Sequence, residues 1–144
     1  MKYEFIVSAC LCGVSCRYDG QASTVDELAA LSEQGRALAV CPEVEGGLGM
    51  PRHPCERLGE RVLGKDGSDV TGQFVAGAEK TLELAREHGI RLAVLKERSP
   101  SCGSGVIYDG SFSGRRIQGR GVTAELLLRH GLTVVNEEDF YDYI

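Results

Sequence analysis

Four short apolar segments recur along the chain, and a polar or glycine-rich loop follows each of them. These segments cover residues 3–9, 36–40, 92–95 and 132–135. They are too short for buried helices and predict buried strands. Between them, apolar residues repeat every three or four positions, as in amphipathic helices. The helices are predicted over residues 24–34, 71–88 and 124–130. Alternating strands and helices predict a parallel sheet with helices on both faces.

Two further segments carry turn pairs between weakly alternating residues. Asp66-Gly67 lies within 61–71, and Asp109-Gly110 lies within 106–117. Such pairs predict small hairpins. Together the patterns predict an α/β, Rossmann-like single domain over residues 1–144. Its short parallel sheet has about four strands flanked by helices, with a small hairpin insertion.

Chemically useful side chains follow the ends of all four predicted strands. They are Cys10, Cys41 with Glu43, residues 99–102, and Asn136 with Glu137. Parallel strands end at the same edge of a sheet, and ligands of open α/β sheets bind just beyond that edge. The sequence therefore predicts one site, assembled there from separate loops.

Composition narrows the class of protein that carries this site. The chain has 144 residues, 42% of them hydrophobic, which suffices for one domain with its own core. A net charge of −5 disfavours stable nucleic-acid binding. The absence of a long apolar run and of a signal-peptide pattern predicts a cytoplasmic protein without membrane attachment. The oligomeric state is not predicted.

Six cysteines are the unusual feature of the composition. In a reducing compartment they point to metal binding or catalysis rather than to disulfides. Cys10, Cys16, Cys41 and Cys102 lie in loops that follow strands, so their thiols are the candidate metal ligands. Thiolate ligation suits an iron–sulfur cluster or zinc, while free thiols or a thiol nucleophile remain alternatives. Cys12 and Cys55 are predicted bystanders.

Other loop residues are candidates for acid–base chemistry. Glu43 follows Cys41-Pro42 and is a candidate general base, with Glu45 as a competitor and a solvated loop carboxylate as the plain alternative. Ser99 and Ser101 flank Pro100 and are candidate hydrogen-bond donors. Their alternative role is turn formation.

Charged residues near the same loops are candidates for substrate binding. Lys96 and Arg52 would bind a carbonyl or an anion of the substrate. Asp19 is a further candidate, but its segment Arg17-Tyr18-Asp19-Gly20 would also suit a plain turn with an ion pair. The two Gly-rich segments at 103–105 and 119–121 lack the remaining residues of a phosphate-binding loop. No nucleotide cofactor is therefore predicted.

Four ordered motifs together resemble the thiouracil desulfurase family. They are Ser8-Ala9-Cys10-Leu11-Cys12-Gly13 through Cys16-Arg17-Tyr18-Asp19-Gly20, Cys41-Pro42-Glu43 with Gly46-Gly47-Leu48 and Pro51-Arg52, Leu95-Lys96 with Ser99-Pro100-Ser101-Cys102-Gly103, and Gly121-Val122-Thr123-Ala124. The resemblance spans nearly the whole chain. The family usually has an aliphatic residue in place of Cys12 and no cysteine in place of Cys55.

The resemblance implies a [4Fe–4S] cluster held by three cysteines, which leaves one iron open. The sulfur of a thiolated pyrimidine would bind that iron. Water would then replace this sulfur with oxygen, and no electrons would be transferred. The ligands would be three of Cys10, Cys16, Cys41 and Cys102, with Cys16 expected to stay off the iron. Glu43 would be the base and Ser99 its partner, with Ser101 as second choice.

Three other functions remain open at this point. One is desulfuration or sulfur transfer on another thioamide or nucleoside. The second is a cluster- or zinc-binding sensor or structural module, which would need no carboxylate beside the cluster. The third is a thiol nucleophile that carries a persulfide, which would need one essential cysteine rather than three.

Overall fold

The structure is a computed structural model and describes residues 2–144. In chain order its strands and helices are β1 (Phe5–Ser8), α1 (Asp26–Glu33), β2 (Ala37–Val40), α2 (Pro42–Glu45), β3 (Cys55–Leu58), β4 (Arg61–Gly64), α3 (Thr71–Glu87), β5 (Leu92–Leu95), β6 (Val106–Tyr108), β7 (Arg116–Gln118), α4 (Val122–Arg129) and β8 (Thr133–Asn136). Short 3₁₀ turns follow β1 and close the chain. Within residues 2–144, no helix is long and apolar enough to cross a membrane.

The central sheet is parallel, with the strand order β2–β1–β5–β8. Val7 in β1 is in register with Ala39 on one side and with Val94 on the other. From β1 the chain first adds β2 on one side, and it then crosses over to add β5 and β8 on the other side. The strand order therefore reverses between β1 and β5. Such a switch point opens a crevice at the carboxyl ends of the strands.

Alternate residues of β1 face two separate apolar layers. Phe5 and Val7 pack in one layer with Leu28 of α1. Ile6 packs in the other layer with Leu82 of α3 and Leu127 of α4. Because side chains alternate across a strand, each face of the sheet must be covered. The prediction of a four-stranded parallel sheet with helices on both faces is confirmed.

The hairpin expected around Asp66-Gly67 is present. The Gly64 N–H donates to the Ser68 carbonyl, the Val70 N–H donates to the Val62 carbonyl, and Leu63 and Asp69 form an antiparallel bridge across the turn. The Asp66 carboxylate closes this turn by accepting hydrogen bonds from the Ser68 N–H and hydroxyl. Strands β3 and β4 form another hairpin just before it, around a turn at residues 59–60. The second expected hairpin is present as β6 and β7.

Helices α2 and α3 contact each other backbone to backbone. A Cβ atom at Gly77 would overlap the carbonyl of Pro42, and one at Gly46 would overlap the carbonyl of Gln73. The Thr81 hydroxyl also donates to the Gly77 carbonyl within this buried layer. Since α2 carries Glu43, the two glycines fix the distance of that carboxylate from the rest of the molecule.

A buried carboxylate, that of Glu97, organises the loop after β5. Its Oε1 accepts the N–H groups of Arg98, Ser104 and Gly105, and its Oε2 accepts the side-chain amide of Asn136. Burial raises the pKa of Glu97, but these hydrogen bonds to its charged form outweigh burial and lower the pKa below the ordinary 4.5. Glu97 thus joins the β5 loop to the end of β8.

We expect Gly77→Ala to destabilise the fold by about 1–3 kcal/mol, because the added methyl forces α2 and α3 apart. Gly72→Ala is the matched control on the same helix, since among residues 2–144 no contacting atom lies within 4 Å of the position of its Cβ. This control should be neutral or stabilising by up to about 1 kcal/mol. Urea unfolding measures both changes, and equal midpoints for the two variants would refute the close contact.

We expect Glu97→Gln to cost about 1–3 kcal/mol at neutral pH, because an amide nitrogen replaces an acceptor that faces donors. The folded-state pKa of Glu97 is lowered, so its stabilisation is present above the ordinary value of 4.5 and is lost as pH falls through the folded pKa. Urea midpoints measured across acidic to neutral pH should converge for the two proteins in acid. A constant difference between them would rule out this carboxylate as the source.

Candidate active site

A cavity of about 540 Å³ lies beyond the carboxyl ends of β1, β2 and β5. It includes the crevice expected at the switch point of the sheet. Its walls are Ser8, Ala9, Cys10, Cys16, Arg17, Tyr18, Ser23, Val40, Cys41, Pro42, Glu43, Arg52, Pro54, Cys55, Glu56, Lys96, Glu97, Arg98, Ser99, Pro100, Cys102 and Tyr108. The loops after three strands and two antiparallel hairpins therefore build one site.

All four candidate thiol ligands line this cavity. The loop after β1 folds back, so that Cys16 is buried and lines the same cavity as Cys10 and Cys41. The Cys41 thiol lies 3.8 Å from the Cys16 carbonyl oxygen. Cys16, the candidate expected to stay off the iron, therefore lies close to another candidate ligand.

In the absence of a metal, the surroundings of Cys16, Cys41 and Cys102 raise the pKa of their thiols and favour the protonated form. The interaction of the Cys16 thiol with the Cys10 thiol, together with burial, raises the pKa of Cys16 to about 11, although the interaction with Cys41 lowers this pKa. The hydrogen bond with Cys16 and burial also raise the pKa of Cys41. Burial raises the pKa of Cys102 to about 12. Thiolate ligation at this site therefore requires the positive charge of a metal centre.

Ser8 is a site residue that the sequence analysis missed. Its hydroxyl accepts the N–H of Lys96 at 2.9 Å and also contacts the Cys102 thiol. It thereby connects the end of β1 to the loop after β5. Ser8 is the last residue of its strand, which was the available signal, because strand ends in a parallel sheet meet at the ligand-binding edge.

Glu43 projects from α2 into the cavity and pairs with Arg52. The Arg52 Nη2 lies 3.0 Å from the Glu43 Oε1, and only 9% and 16% of the two side chains are exposed. Burial raises the pKa of Glu43, while Arg52 opposes the shift. Arg52 also donates to the Cys16 carbonyl oxygen at 3.1 Å. Arg52, predicted to bind substrate, is thus occupied in holding Glu43 and the thiol loop. Glu45 is exposed and lies outside the cavity wall.

The two candidate serines differ in what their hydroxyls contact. Ser99 lines the cavity, and its Oγ accepts the N–H groups of Ser101 and Cys102. Because both contacts use Ser99 as acceptor, its own proton is available to a ligand. The buried Ser101 hydroxyl instead shares a 2.7 Å hydrogen bond with that of Thr123 in α4. Ser101 lies outside the cavity wall.

The remaining predicted residues are mostly held in ion pairs and hydrogen bonds with neighbouring loops. Lys96 lines the cavity and forms an ion pair of 2.9 Å with Glu137, which follows β8. Asp19 lies outside the wall and pairs with Arg17 at 3.0 Å, as in the plain turn considered for this segment. Glu137 and Asn136 serve the β5 loop through Glu97 rather than lining the cavity.

The cysteines expected to be bystanders occupy different surroundings. Cys12 lies apart from the cavity, packs beside α1, and its thiol faces the Leu28 carbonyl oxygen at 3.7 Å. Cys55 lines the cavity, where burial raises the pKa of its thiol to about 11. Tyr18, Tyr108 and Arg98 also line it and were not singled out from the sequence.

The donor set of the cavity fits a thiolate-ligated cluster. Five thiols line it, those of the four candidate ligands from three loops and that of Cys55 from β3, and no histidine among residues 2–144 does. Across that same part of the chain, no three Cys, His, Asp or Glu side chains converge tightly enough for a single metal ion. Soft thiolates spread around a cavity suit an iron–sulfur cluster, whereas structural zinc needs four donors around one point.

Comparison with known proteins agrees with this chemistry. A solved structure of the [4Fe-4S]-dependent thiouracil desulfidase TudS is 52% identical in sequence and matches with a TM-score of 0.93, covering 98% of this chain and 95% of that chain. The uncharacterized protein YbbK of Bacillus subtilis (strain 168) is 40% identical over 149 residues, which is 96% of this chain and 99% of YbbK. The family model of 2-thiouracil desulfurase matches residues 5–139. The resemblance seen in the sequence is therefore confirmed, and the chain belongs to the 2-thiouracil desulfurase family.

Proposed function

We propose that this protein is an iron–sulfur enzyme that replaces the sulfur of a thiolated pyrimidine such as thiouracil with oxygen from water. The observation that carries the proposal is the placement of a largely buried carboxylate, Glu43, in the same cavity as the four candidate thiol ligands. A sensor or structural module needs the thiols but not the carboxylate. The name of the TudS structure supports the choice of thiouracil as substrate.

Cys10, Cys41 and Cys102 are the proposed ligands of a [4Fe–4S] cluster. They come from the loops after β1, β2 and β5, so the three loops would hold it from three sides. When bound, the cluster supplies a sulfur-preferring Lewis acid with one open iron. The Cys16 thiol, next to Cys10 and Cys41, would remain off the iron.

Glu43 is the proposed base for the attacking water. Its raised pKa makes the carboxylate a stronger base than an exposed glutamate, and its place in the cavity wall gives access to a bound water. Arg52 keeps the carboxylate in one orientation with its two N–H contacts of 3.2 and 3.0 Å. Arg52 is thus assigned to positioning the base.

Ser99 is the proposed hydrogen-bond partner in this step. The Ser101 and Cys102 N–H groups fix its oxygen, which leaves its hydroxyl proton to donate toward the substrate or the water. In the overall reaction one water is consumed, a C=S bond becomes C=O, and hydrogen sulfide leaves. The oxidation state of the carbon is unchanged, so no electron donor is needed.

Other features of the proposal rest on the sequence. A free base or nucleoside is expected in preference to nucleic acid, because the chain carries a net charge of −5. A cytoplasmic location and a single-domain organisation stay predictions. Another thioamide would be processed by the same residues and would differ only in how it is bound.

The first test is anaerobic purification followed by addition of 2-thiouracil. We expect about four irons per chain, matching sulfide, and loss of the thiocarbonyl absorption with release of hydrogen sulfide. Glu43→Gln should retain the iron and lower kcat by about 10²- to 10⁴-fold, since the amide still accepts from Arg52 but cannot take a proton.

Glu45→Gln is the matched control on the same short helix, and it should leave kcat within about twofold, because Glu45 is exposed. Equal losses in the two variants would reject Glu43 as the base. A cluster-containing wild type that leaves every thiolated pyrimidine intact would favour the sensor. Zinc or no metal would reject the proposed function.

Single Cys→Ser variants test the assignment of the ligands. We expect Cys10→Ser, Cys41→Ser and Cys102→Ser to lose most of the iron, because a hydroxyl is a poor ligand for iron–sulfur centres. Cys16→Ser should retain it. Cys12→Ser is the control, since its thiol lies beside α1. Iron retention by a different member of the four would move the off-iron position to that residue.

A further inference from the structure

The charged side chains that line the cavity are almost all paired. Arg17 pairs with Asp19, Arg52 with Glu43, and Lys96 with Glu137, at 2.9 to 3.0 Å. Glu97 is held by backbone N–H groups and by an amide. Another charged wall residue, Glu56, accepts the N–H groups of Gly110 and Phe112. These charged groups therefore stabilise the loops of the cavity wall or, in the case of Arg52, hold the proposed base Glu43.

Arg98 is the exception. It lines the cavity and is partly buried, yet its guanidinium makes no hydrogen bond or ion pair with any of residues 2–144. A guanidinium offers five N–H donors and stays charged at all physiological pH. In the part of the chain that the structure describes, it is the one charged group of the wall whose donors are all available to a ligand.

The backbone of Arg98 shows that its position is enforced. Its φ angle is +67°, in the left-handed region that side chains with a Cβ rarely adopt. The hydrogen bond from its N–H to Glu97 and a bridge to Ile107 hold it there. Such strain persists only where the surroundings over-determine the conformation, and it clusters at ligand sites.

We propose that Arg98 is the substrate-binding residue that recognises the ring carbonyl oxygen of the thiolated pyrimidine. This inference rests on the proposed function and deepens it. Thiouracil carries one thiocarbonyl and one carbonyl, so a donor that binds the carbonyl determines how the ring is oriented and which group faces the thiols. Tyr108 adds an aromatic ring to the same wall, beside the Ile107 that bridges to Arg98.

A competing role for Arg98 is to offset the negative charge of the thiolate ligands. The two roles predict different kinetics. A charge-balancing residue would affect every substrate and the cluster itself. A carbonyl-binding residue affects only substrates that have the carbonyl.

The test compares 2-thiouracil with pyrimidine-2-thione, which has the same thiocarbonyl but lacks the second oxygen. Both are assayed with the anaerobic holoenzyme. We expect Arg98→Ala to lower kcat/KM for 2-thiouracil about 10- to 100-fold, mainly through KM, because a hydrogen bond to a charged group is lost. Turnover of pyrimidine-2-thione should change by less than about twofold. The inhibition constant of uracil should rise by the same factor as KM for 2-thiouracil.

Two further variants control for folding and for general loss of charge. Arg98→Gly removes the side chain and relieves the left-handed strain, so it should reproduce the kinetics of Arg98→Ala with equal or higher thermal stability. Arg129→Ala removes an exposed arginine outside the cavity wall and should match the wild type. Iron content and cluster absorption should be unchanged in all three variants.

The outcomes separate the two levels of the proposal. Equal losses on both substrates, loss of iron, or an unchanged uracil inhibition constant would overturn the role of Arg98 and leave the desulfuration intact. A wild-type holoenzyme that converts neither thione would instead reject the proposed function, and the role of Arg98 would fall with it.

Discussion

The carboxylate of Glu97 is the interaction on which the site depends most. It gathers three backbone N–H groups from residues 98–105 and the side-chain amide of Asn136, so one buried charge sets the path of the β5 loop. That loop carries Ser99, Cys102 and Arg98. A buried carboxylate stays ionised only when its hydrogen bonds outweigh desolvation, and the lowered pKa of Glu97 shows that they do.

For Glu43 the balance between desolvation and favourable contacts is reversed. Desolvation is the larger effect on this carboxylate, so its pKa is raised although Arg52 lies within 3.2 Å. The contact between Gly46 and α3 places α2, and thereby Glu43, at the cavity wall. One cavity thus contains a carboxylate whose pKa is lowered, that of Glu97, and another whose pKa is raised, that of Glu43, as the proposed base requires. This division separates the scaffold from the chemistry.

The sheet, the edge that carries the site, and the cavity thiols were predictable because they follow from local rules. Strand–helix alternation dictates a parallel sheet, and a parallel sheet brings Cys10, Cys41 and Cys102 to one edge. Hydrogen-bond partners that lie far apart along the sequence were not predictable. The hydrogen bond between Ser101 and Thr123 spans 22 residues, and the one between Ser8 and Lys96 spans 88.

Charge pairing bears on substrate binding in a way that residue type alone does not reveal. Arg52 and Lys96 were candidates because they are cations beside the thiol loops, but a cation already bonded to a carboxylate recognises a new ligand only by giving up that partner. Among residues 2–144, Arg98 has no such partner to give up, and the backbone holds it in place beforehand. A preorganised donor loses less entropy when it binds. The residues suited to recognise a ligand are therefore those that the fold positions but does not pair.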